Sequence, residues 1–255
     1  MSSKNERIVI FHIYRNDGTS LFLHPFDDRN TLFSLEDGVK VEGLFGREPR
    51  VESLTMFRNK LYRLIETGVK EWIVDTKFIP RFILSSAVFL LVYFFTSLVI
   101  RDPIPIVDEL LISIAASVFV YFFLSKRDQN SEKASGKRLK LRIHVDRIVF
   151  NESSFVKKFE EILNYNESVE AWELIPSIIS PESELIPETE REDAQILLSY
   201  LERMFSGKVY RKQEKKLSRY KKEDKKKLLS WAKANKVDLS LYAAYRNIKL
   251  ISLPD

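Results

Sequence analysis

The chain has 255 residues, of which 45% are hydrophobic and 30% charged, so it is long enough for one or two domains with a packed core. Cysteine is absent, which excludes disulfides, thiolate zinc sites, iron–sulfur clusters and cysteine nucleophiles. The seven glycines form no P-loop, dinucleotide fingerprint or nucleophile elbow. The formal net charge of +5 does not by itself select a partner.

Two β-prone apolar runs lie near the N-terminus. RIVIFHIYR and SLFLHPF flank the turn signal NDGT, which predicts a β-hairpin over residues 7–26. VKVEGLF, residues 39–45, is a candidate third strand. His24, Asp27 and Asp28 form the one cluster that suggests a metal ligand set or an acid–base pair. Proline with paired aspartates directly after a strand is more typical of a turn, and we favour that interpretation.

An amphipathic helix follows these strands. Apolar residues recur at three- and four-residue steps from Leu54 to Ile73, with basic residues elsewhere on the wheel, and Gly68 offers a point for a bend. Because this helix leads towards a long apolar run, it could lie in a membrane interface with Trp72 as an anchor at headgroup depth. Packing of its apolar stripe on the N-terminal strands is an equally good interpretation.

Two apolar runs within residues 79–125 predict a transmembrane hairpin. Residues 82–100 are uncharged and give about 28 Å of helix, against a hydrocarbon core of about 30 Å. The second run is uncharged only over residues 110–125 and reaches this length if residues 104–107 are included, which draws Asp108 and Glu109 towards one membrane interface. We predict spans over about 82–100 and 106–125. Neither run has a polar stripe, and a helix that is apolar all round belongs in lipid or inside a large protein.

The segment between the spans carries prolines and acids. Pro103 and Pro105 stop the first helix and favour the start of the second. Asp108 and Glu109 then fall in a first helical turn, where carboxylates complement the partial positive charge of the helix end. A sharper hypothesis is that several copies assemble and that these two acids ring a pore mouth and attract cations.

The distribution of basic residues predicts the orientation of the hairpin. The connecting loop contributes only Arg101, so the positive-inside bias places both termini in the cytoplasm. The first thirty residues lack the pattern of a cleaved signal peptide, in which an apolar stretch follows a basic start. We therefore expect insertion into the membrane to depend on the internal spans. The basic residues that flank the other ends of the spans are Lys70, Lys77, Arg81, Lys126, Arg127, Lys133, Lys137, Arg138, Lys140 and Arg142.

The region after the hairpin, residues 126–255, is predicted to be mixed. Residues 125–138 read as a solvated basic linker, and LKLRIHV, residues 139–145, alternates like a half-buried strand. If that strand joined the N-terminal ones, the hairpin would be an insertion within one domain. A helix is expected over 154–175, followed by a proline-containing loop. Thr189 and Glu192, at capping-box spacing, predict the start of a further helix.

Residues 208–227 carry eleven Lys or Arg and three acids. A solvated face is the default interpretation of such a run. Anionic lipid headgroups would favour each nearby cation by about 1 kcal/mol. The alternatives are nucleic acid, with Tyr210 and Tyr220 available for stacking, and pairing with the acidic stretch 182–193. The residues predicted to contact anionic lipid or a partner are Lys212, Lys215, Lys216, Arg219, Lys221, Lys222, Lys225 and Lys226.

The sequence as a whole predicts an α+β cytoplasmic domain with a two-helix transmembrane hairpin and a helical basic C-terminal region. Residues 1–78 would form the N-terminal cytoplasmic part, 79–125 the hairpin and 126–255 the C-terminal cytoplasmic part. The expected function is that of a non-catalytic, membrane-tethered adaptor or regulatory module without a cofactor, with an unidentified protein partner or as a homo-oligomer. The alternatives are an oligomeric cation channel that uses Asp108 and Glu109, and a membrane-associated enzyme with an unrecognised site.

Overall fold

The structure is a computed structural model that describes residues 7–98, 106–180, 190–217 and 225–251. Within these ranges the protein is mostly helical, with a small mixed sheet of four strands and two long apolar helices. The strands are β1 (Ile8–Tyr14), β2 (Ser20–Leu23), β3 (Val41–Phe45) and β4 (Phe150–Glu152). The helices are α1 (Arg29–Phe33), α2 (Val51–Leu98), α3 (Ile106–Gln129), α4 (Glu132–Asp146), α5 (Ser154–Ser168), α6 (Leu174–Ile179), α7 (Arg191–Met204), α8 (Lys208–Leu217), α9 (Lys225–Ala234) and α10 (Leu239–Ile251).

The chain divides into two compact units. The sheet unit consists of Met1–Arg58 together with Arg147–Asp255, and the hairpin unit is Asn59–Asp146. Strand β4 follows the hairpin unit in sequence, yet it pairs with β3, which precedes that unit. The hairpin unit is therefore an insertion, in sequence, between two neighbouring strands of one sheet.

The sheet has the strand order β2-β1-β3-β4. Strands β1 and β2 pair in the antiparallel sense, with Phe11 opposite Leu23, and Gly18 in the connecting turn has a φ of +80°. The predicted hairpin and third strand are confirmed. Strand β3 pairs with β1 in the parallel sense, with Leu44 opposite Phe11, and this pairing direction depends on the connection through α1 rather than on any turn signal.

A hydrophobic cluster of the sheet unit lies on one face of β1. Val9, Phe11 and Ile13 are fully buried there, in one cluster with residues of α5, α7 and α10 such as Leu163 and Leu197. These side chains alternate along β1 and form one of its faces. The residues between them are buried as well, so both faces of β1 are covered. Each contributes about 1.5–3 kcal/mol by its removal from water.

Gly46 lies where α5 comes closest to the end of β3. A Cβ atom at this position would be 2.5 Å from the Cα of Lys157 and 2.6 Å from Oε2 of Glu160. The Glu160 carboxylate is itself fixed, because its Oε1 accepts a hydrogen bond from the backbone N–H of Tyr14 at 2.8 Å. Burial raises the pKa of Glu160, and hydrogen bonds from the backbone of Tyr14, Arg47 and Gly46 only partly oppose that effect.

Gly46→Ala is therefore expected to lower the free energy of unfolding of the sheet unit by about 1–3 kcal/mol, because the backbone of α5 would have to move. Gly136→Ala is the matched control. An added Cβ meets nothing within 4 Å at this site in α4, so this change should stabilise the helix by about 0.5–1 kcal/mol. Denaturant unfolding in detergent, followed by tryptophan fluorescence, measures both. A neutral Gly46→Ala would show that α5 is not held closely against β3.

The hairpin unit is built on a long antiparallel pair of helices. The predicted amphipathic helix and the first predicted span form one continuous helix, α2, which passes through Gly68 and Pro80 without a break. Helix α4 lies along the first part of α2, since Glu66 accepts a hydrogen bond from Arg142 at 2.8 Å and forms an ion pair with Arg138 at 2.9 Å. Tyr62 of α2 also donates to the Asp146 carboxylate.

Two predictions for the segment after the second span are wrong. Residues 125–138 are helical apart from a short turn, and residues 139–145 belong to α4 instead of a strand. Of the alternating apolar residues in this stretch, only Leu141 and Val145 are buried, whereas Leu139 is 60% exposed. The buried pair is four residues apart, which is the spacing of one helix face, and the apparent alternation came from apolar residues on the opposite face.

The predicted helices of the C-terminal region are present with different bounds. The expected helix over 154–175 is divided into α5 and α6, and α6 extends to Ile179 into the expected loop. Helix α7 begins at Arg191 with Glu190 as its N-cap residue, without a side-chain capping hydrogen bond. Thr189, which was predicted to form a capping box, lies outside the described residues.

Candidate functional site

An apolar surface covers the parts of α2 and α3 that lie nearest the connection between these two helices. We define the apolar belt as residues 78–98 of α2 and 110–123 of α3. The 21 residues on α2 correspond to about 31 Å of helix. In the most apolar window of each helix only 11% of the residues are buried, at a mean hydropathy of 2.0. The hairpin unit thus contains two helices that are long and apolar enough to cross a membrane.

Small polar residues of the belt face the contact between the two helices. Ser85 and Ser113 are buried, and their hydroxyls donate to the backbone carbonyls of Phe82 at 3.0 Å and Glu109 at 2.7 Å. Side chains of this size let two helices approach closely, and hydrogen bonds within each helix satisfy the hydroxyls. These positions therefore serve helix packing.

The two predicted pore-mouth acids have different surroundings. Glu109 is 8% exposed, and its Oε2 accepts a hydrogen bond from Oγ of Ser97 at 2.6 Å. Asp108, one residue earlier, is exposed. The Glu109 carboxylate thus links α3 to α2 within a single chain, and Asp108 alone faces outwards.

A buried ion pair links the same two helices at the other end of the belt. Arg81 is 3% exposed; its Nε donates to Oδ2 of Asp128 at 2.8 Å, and its Nη1 donates to Oγ of Ser125 at 3.2 Å. In the sequence Arg81 counted only as a flanking cation. The signal for its role was an arginine on the first helix and an aspartate on the second, which an antiparallel hairpin can bring side by side.

Trp72 lies before the belt on α2. Its side chain is partly buried, and Nζ of Lys137 on α4 lies 5.4 Å from the centroid of its ring. This cation–π contact joins α2 and α4. The role of Trp72 as an interface anchor stays a prediction.

The cluster of His24, Asp27 and Asp28, which suggested an acid–base pair or a metal site, lies in a turn that leads into α1. Oδ2 of Asp28 accepts hydrogen bonds from the backbone N–H and the hydroxyl of Thr31, both at 2.9 Å, and so caps α1. These bonds, first of all the one from the Thr31 backbone, lower the pKa of Asp28. His24 is buried, and its Nδ1 accepts from the N–H of Phe26 at 3.2 Å. Across the described ranges, no three His, Asp or Glu side chains are grouped to hold a metal ion.

His12 is a buried polar residue whose environment the sequence did not reveal. It is fully buried on β1, its Nε2 lies 2.9 Å from Oγ of Ser20, and that hydroxyl donates to Oγ of Ser53 at 3.1 Å. Burial lowers the pKa of His12 to about 4. Because no substrate can reach an imidazole so enclosed, we assign it to the packing of β1 against the start of α2.

The cations predicted to contact lipid or a partner lie on two helices as far as they are described. Lys212, Lys215 and Lys216 are exposed on α8, and Lys225 and Lys226 begin α9. Nζ of Lys225 lies 5.6 Å from the ring centroid of Trp172. The remaining predicted contacts, Arg219, Lys221 and Lys222, lie outside the described residues.

The neighbouring acidic stretch has other partners where it is described. Asp193 forms an ion pair with Arg7 of the N-terminal segment at 2.9 Å. Glu190 accepts from Lys158 of α5 at 3.4 Å. Both contacts tie α7 and its entry to the rest of the sheet unit, so these two acids are engaged away from α8.

Helix α8 is held in place by its inner face. Tyr210 packs against Phe205 and Trp231, with ring centroids 5.1 and 5.8 Å away. Oε1 of Glu214, an acid of α8, accepts a hydrogen bond from Nζ of Lys249 on α10 at 2.8 Å. The acid of α8 is thus used in the contact with α10, and the outer face of the helix exposes Lys212, Lys215 and Lys216.

Among the residues that the structure describes, two surfaces stand out after the packing of each unit has been accounted for. One is the apolar belt, and the other is the cationic outer face of α8. Neither depends on a known motif. In comparisons with known proteins, no protein-family model, no curated protein and no solved structure matches this chain.

Proposed function

We propose that the protein is a two-span integral membrane protein with both termini in the cytoplasm. It acts as a non-catalytic tether, an adaptor or regulatory module in which the hairpin fixes the chain to the bilayer and the sheet unit binds a protein partner. The observation that carries this proposal is the apolar belt.

The size and continuity of the belt support insertion into lipid. Its outward side chains include Leu91, Leu98 and Phe119, each about 70% exposed. Soluble monomers rarely expose contiguous apolar patches larger than a few hundred Å². The belt is about 31 Å long on α2, which matches a hydrocarbon core of about 30 Å. In lipid these side chains need no protein partner.

The charges around the belt support the proposed orientation. Lys77 of α2 and Lys126 and Arg127 of α3 lie at the end of the belt where the hairpin is open. At the opposite end the first turn of α3 carries Asp108 and Glu109. Since loops rich in Lys and Arg stay in the cytoplasm, the open end is the cytoplasmic one.

The surroundings of Glu109 weigh against the channel alternative. A pore needs polar groups that face a neighbouring copy, whereas Glu109 bonds to Ser97 of its own chain. The buried hydroxyls of the belt are likewise bonded within their own helices. Asp108 alone would be left to attract cations at a pore mouth.

Single cysteines test the tether, because the chain has none of its own. Phe94→Cys lies in the belt and Met56→Cys outside it, at positions 55% and 73% exposed. With a membrane-impermeant maleimide we expect Met56→Cys and Lys233→Cys to react only after cells are opened, and Asp108→Cys to react in intact cells. Phe94→Cys should stay unreacted until detergent and denaturant are added, because lipid excludes the reagent and disfavours the thiolate.

Two results would contradict the proposal. Equal labelling rates of Phe94→Cys and Met56→Cys in opened cells would mean that water, rather than lipid, surrounds the belt. A cation flux into liposomes that contain the purified protein, abolished by Asp108→Asn together with Glu109→Gln, would show that the protein is a channel and would contradict the proposal of a non-catalytic tether.

A further inference from the structure

We propose that the outer face of α8 is a binding site for phosphate-bearing anions. An open cavity of about 420 Å³ lies against the first turns of this helix. We call it the α8 pocket, and its volume falls within the range of small-ligand sites. The pocket is lined by Ser206, Lys208, Arg211, Lys212 and Lys215.

The charge of the α8 pocket points to an anion. Its lining brings four cations together, and none of the described residues that line it is a carboxylate. Glu214 lies on the same helix but is bonded to Lys249 of α10. Like charges one turn apart on a helix repel each other, so a bound anion would stabilise this arrangement.

The types of cation favour phosphate oxygens. Arg211 offers a planar guanidinium that can donate two parallel hydrogen bonds to a phosphate, and the lysines add compact positive charges around it. The hydroxyl of Ser206 already donates to the carbonyl of Arg203 at 2.8 Å. Recognition would therefore depend on the cations, and an anion with two or more negative charges would bind most tightly.

The site lies on a helix that is packed against the rest of the sheet unit, which limits the conformational entropy lost when an anion binds. Gln213 and Leu217 on the inner face of α8 are buried, and Tyr210 is packed among the aromatic rings of Phe205, which follows α7, and of α9 and α10. Side chains on a packed helix lose less freedom on binding than those of a loose tail. This inference concerns the sheet unit alone and does not depend on insertion of the hairpin.

The test compares two double variants of the full chain in neutral detergent micelles. Arg211→Gln with Lys212→Gln removes two cations from the pocket, and Lys216→Gln with Lys233→Gln removes two exposed cations outside it. Calorimetric titration with inorganic pyrophosphate should show saturable binding by the wild type. We expect at least about a tenfold loss of affinity, equivalent to about 1.4 kcal/mol, in the first variant and less than a twofold loss in the second.

A second arm identifies the source of the phosphate. Binding of a water-soluble, short-chain phosphoinositide at least tenfold tighter than pyrophosphate assigns the site to a lipid headgroup, and equal or weaker binding assigns it to a soluble phosphate. Lys212→Arg, which keeps the charge, should retain binding. Absence of saturable binding of both compounds, or equal losses in the two double variants, would overturn the proposal.

Discussion

Arg81→Met is expected to lower the free energy of unfolding of the hairpin unit by about 3–5 kcal/mol, the usual cost of removing one partner from a buried ion pair. Arg81 is almost completely buried and Asp128 largely so, with Nε and Oδ2 2.8 Å apart. Methionine fills much of the same volume, so little of the loss would come from a cavity. The main cost is the Asp128 carboxylate, which would be left without its cation at the edge of the apolar belt.

A double-mutant cycle separates the ion pair from other effects. Asp128→Leu should cost a similar amount because it leaves the arginine unpaired. The double variant, Arg81→Met with Asp128→Leu, should be much more stable than the sum of the two losses predicts, because it leaves no unpaired charge. Additive losses, or single losses below about 1 kcal/mol, would show that the pair is solvated and unimportant for the hairpin.

Tryptophan fluorescence can report on the hairpin unit alone. Of the three tryptophans in the chain, Trp72 belongs to the hairpin unit, and Trp172 and Trp231 belong to the sheet unit. A background with Trp172→Phe and Trp231→Phe therefore leaves one reporter, and denaturant unfolding in detergent gives the four free energies of the cycle. Gln in place of Asp128 is unsuitable as a control, since its amide could still accept from Arg81.

Short sequence patterns were enough to predict those elements whose structure depends on neighbouring residues alone. The turn signal between β1 and β2 fixes an antiparallel pair directly, and the length of the apolar runs identifies α2 and α3 as long enough to span a membrane. Residues 139–145 show where such reasoning fails. Alternation and helical spacing coincide over seven residues when two faces of a helix are apolar, and the contact of α4 with α2 decides between them.

The contacts that define the candidate sites could not be predicted because they join distant parts of the chain. In the sequence Arg81 is a flanking cation, and Glu109 is an acid of a first helical turn or of a pore mouth. Only the register of the helical hairpin pairs them with Asp128 and Ser97. The basic run was evident in the sequence. Which of its members share a pocket follows from the rotation of α8, which Tyr210 sets by packing inwards.

Acidification from pH 7 to pH 4 is expected to destabilise the sheet unit through His12. The pKa of this residue falls from an ordinary 6.5 to about 4 on folding, chiefly because burial disfavours its charged form. Below pH 6.5 the unfolded chain binds a proton that the folded chain does not accept until about pH 4. Stability from this residue is thus fully present above pH 6.5 and is lost as the pH falls towards 4, by about 3 kcal/mol.

His12→Gln isolates this contribution from other titrating groups. The amide is neutral at every pH and can still bond to Ser20, so we expect the variant to be less stable than the wild type at pH 7 and to lose about 3 kcal/mol less on acidification. Glu160, whose pKa is raised by burial, contributes in the opposite direction in both proteins and cancels in the comparison. Unfolding curves followed through Trp231 at pH 7, 5.5 and 4 give the difference. Parallel pH profiles would mean that folded His12 takes up a proton as readily as the unfolded chain does.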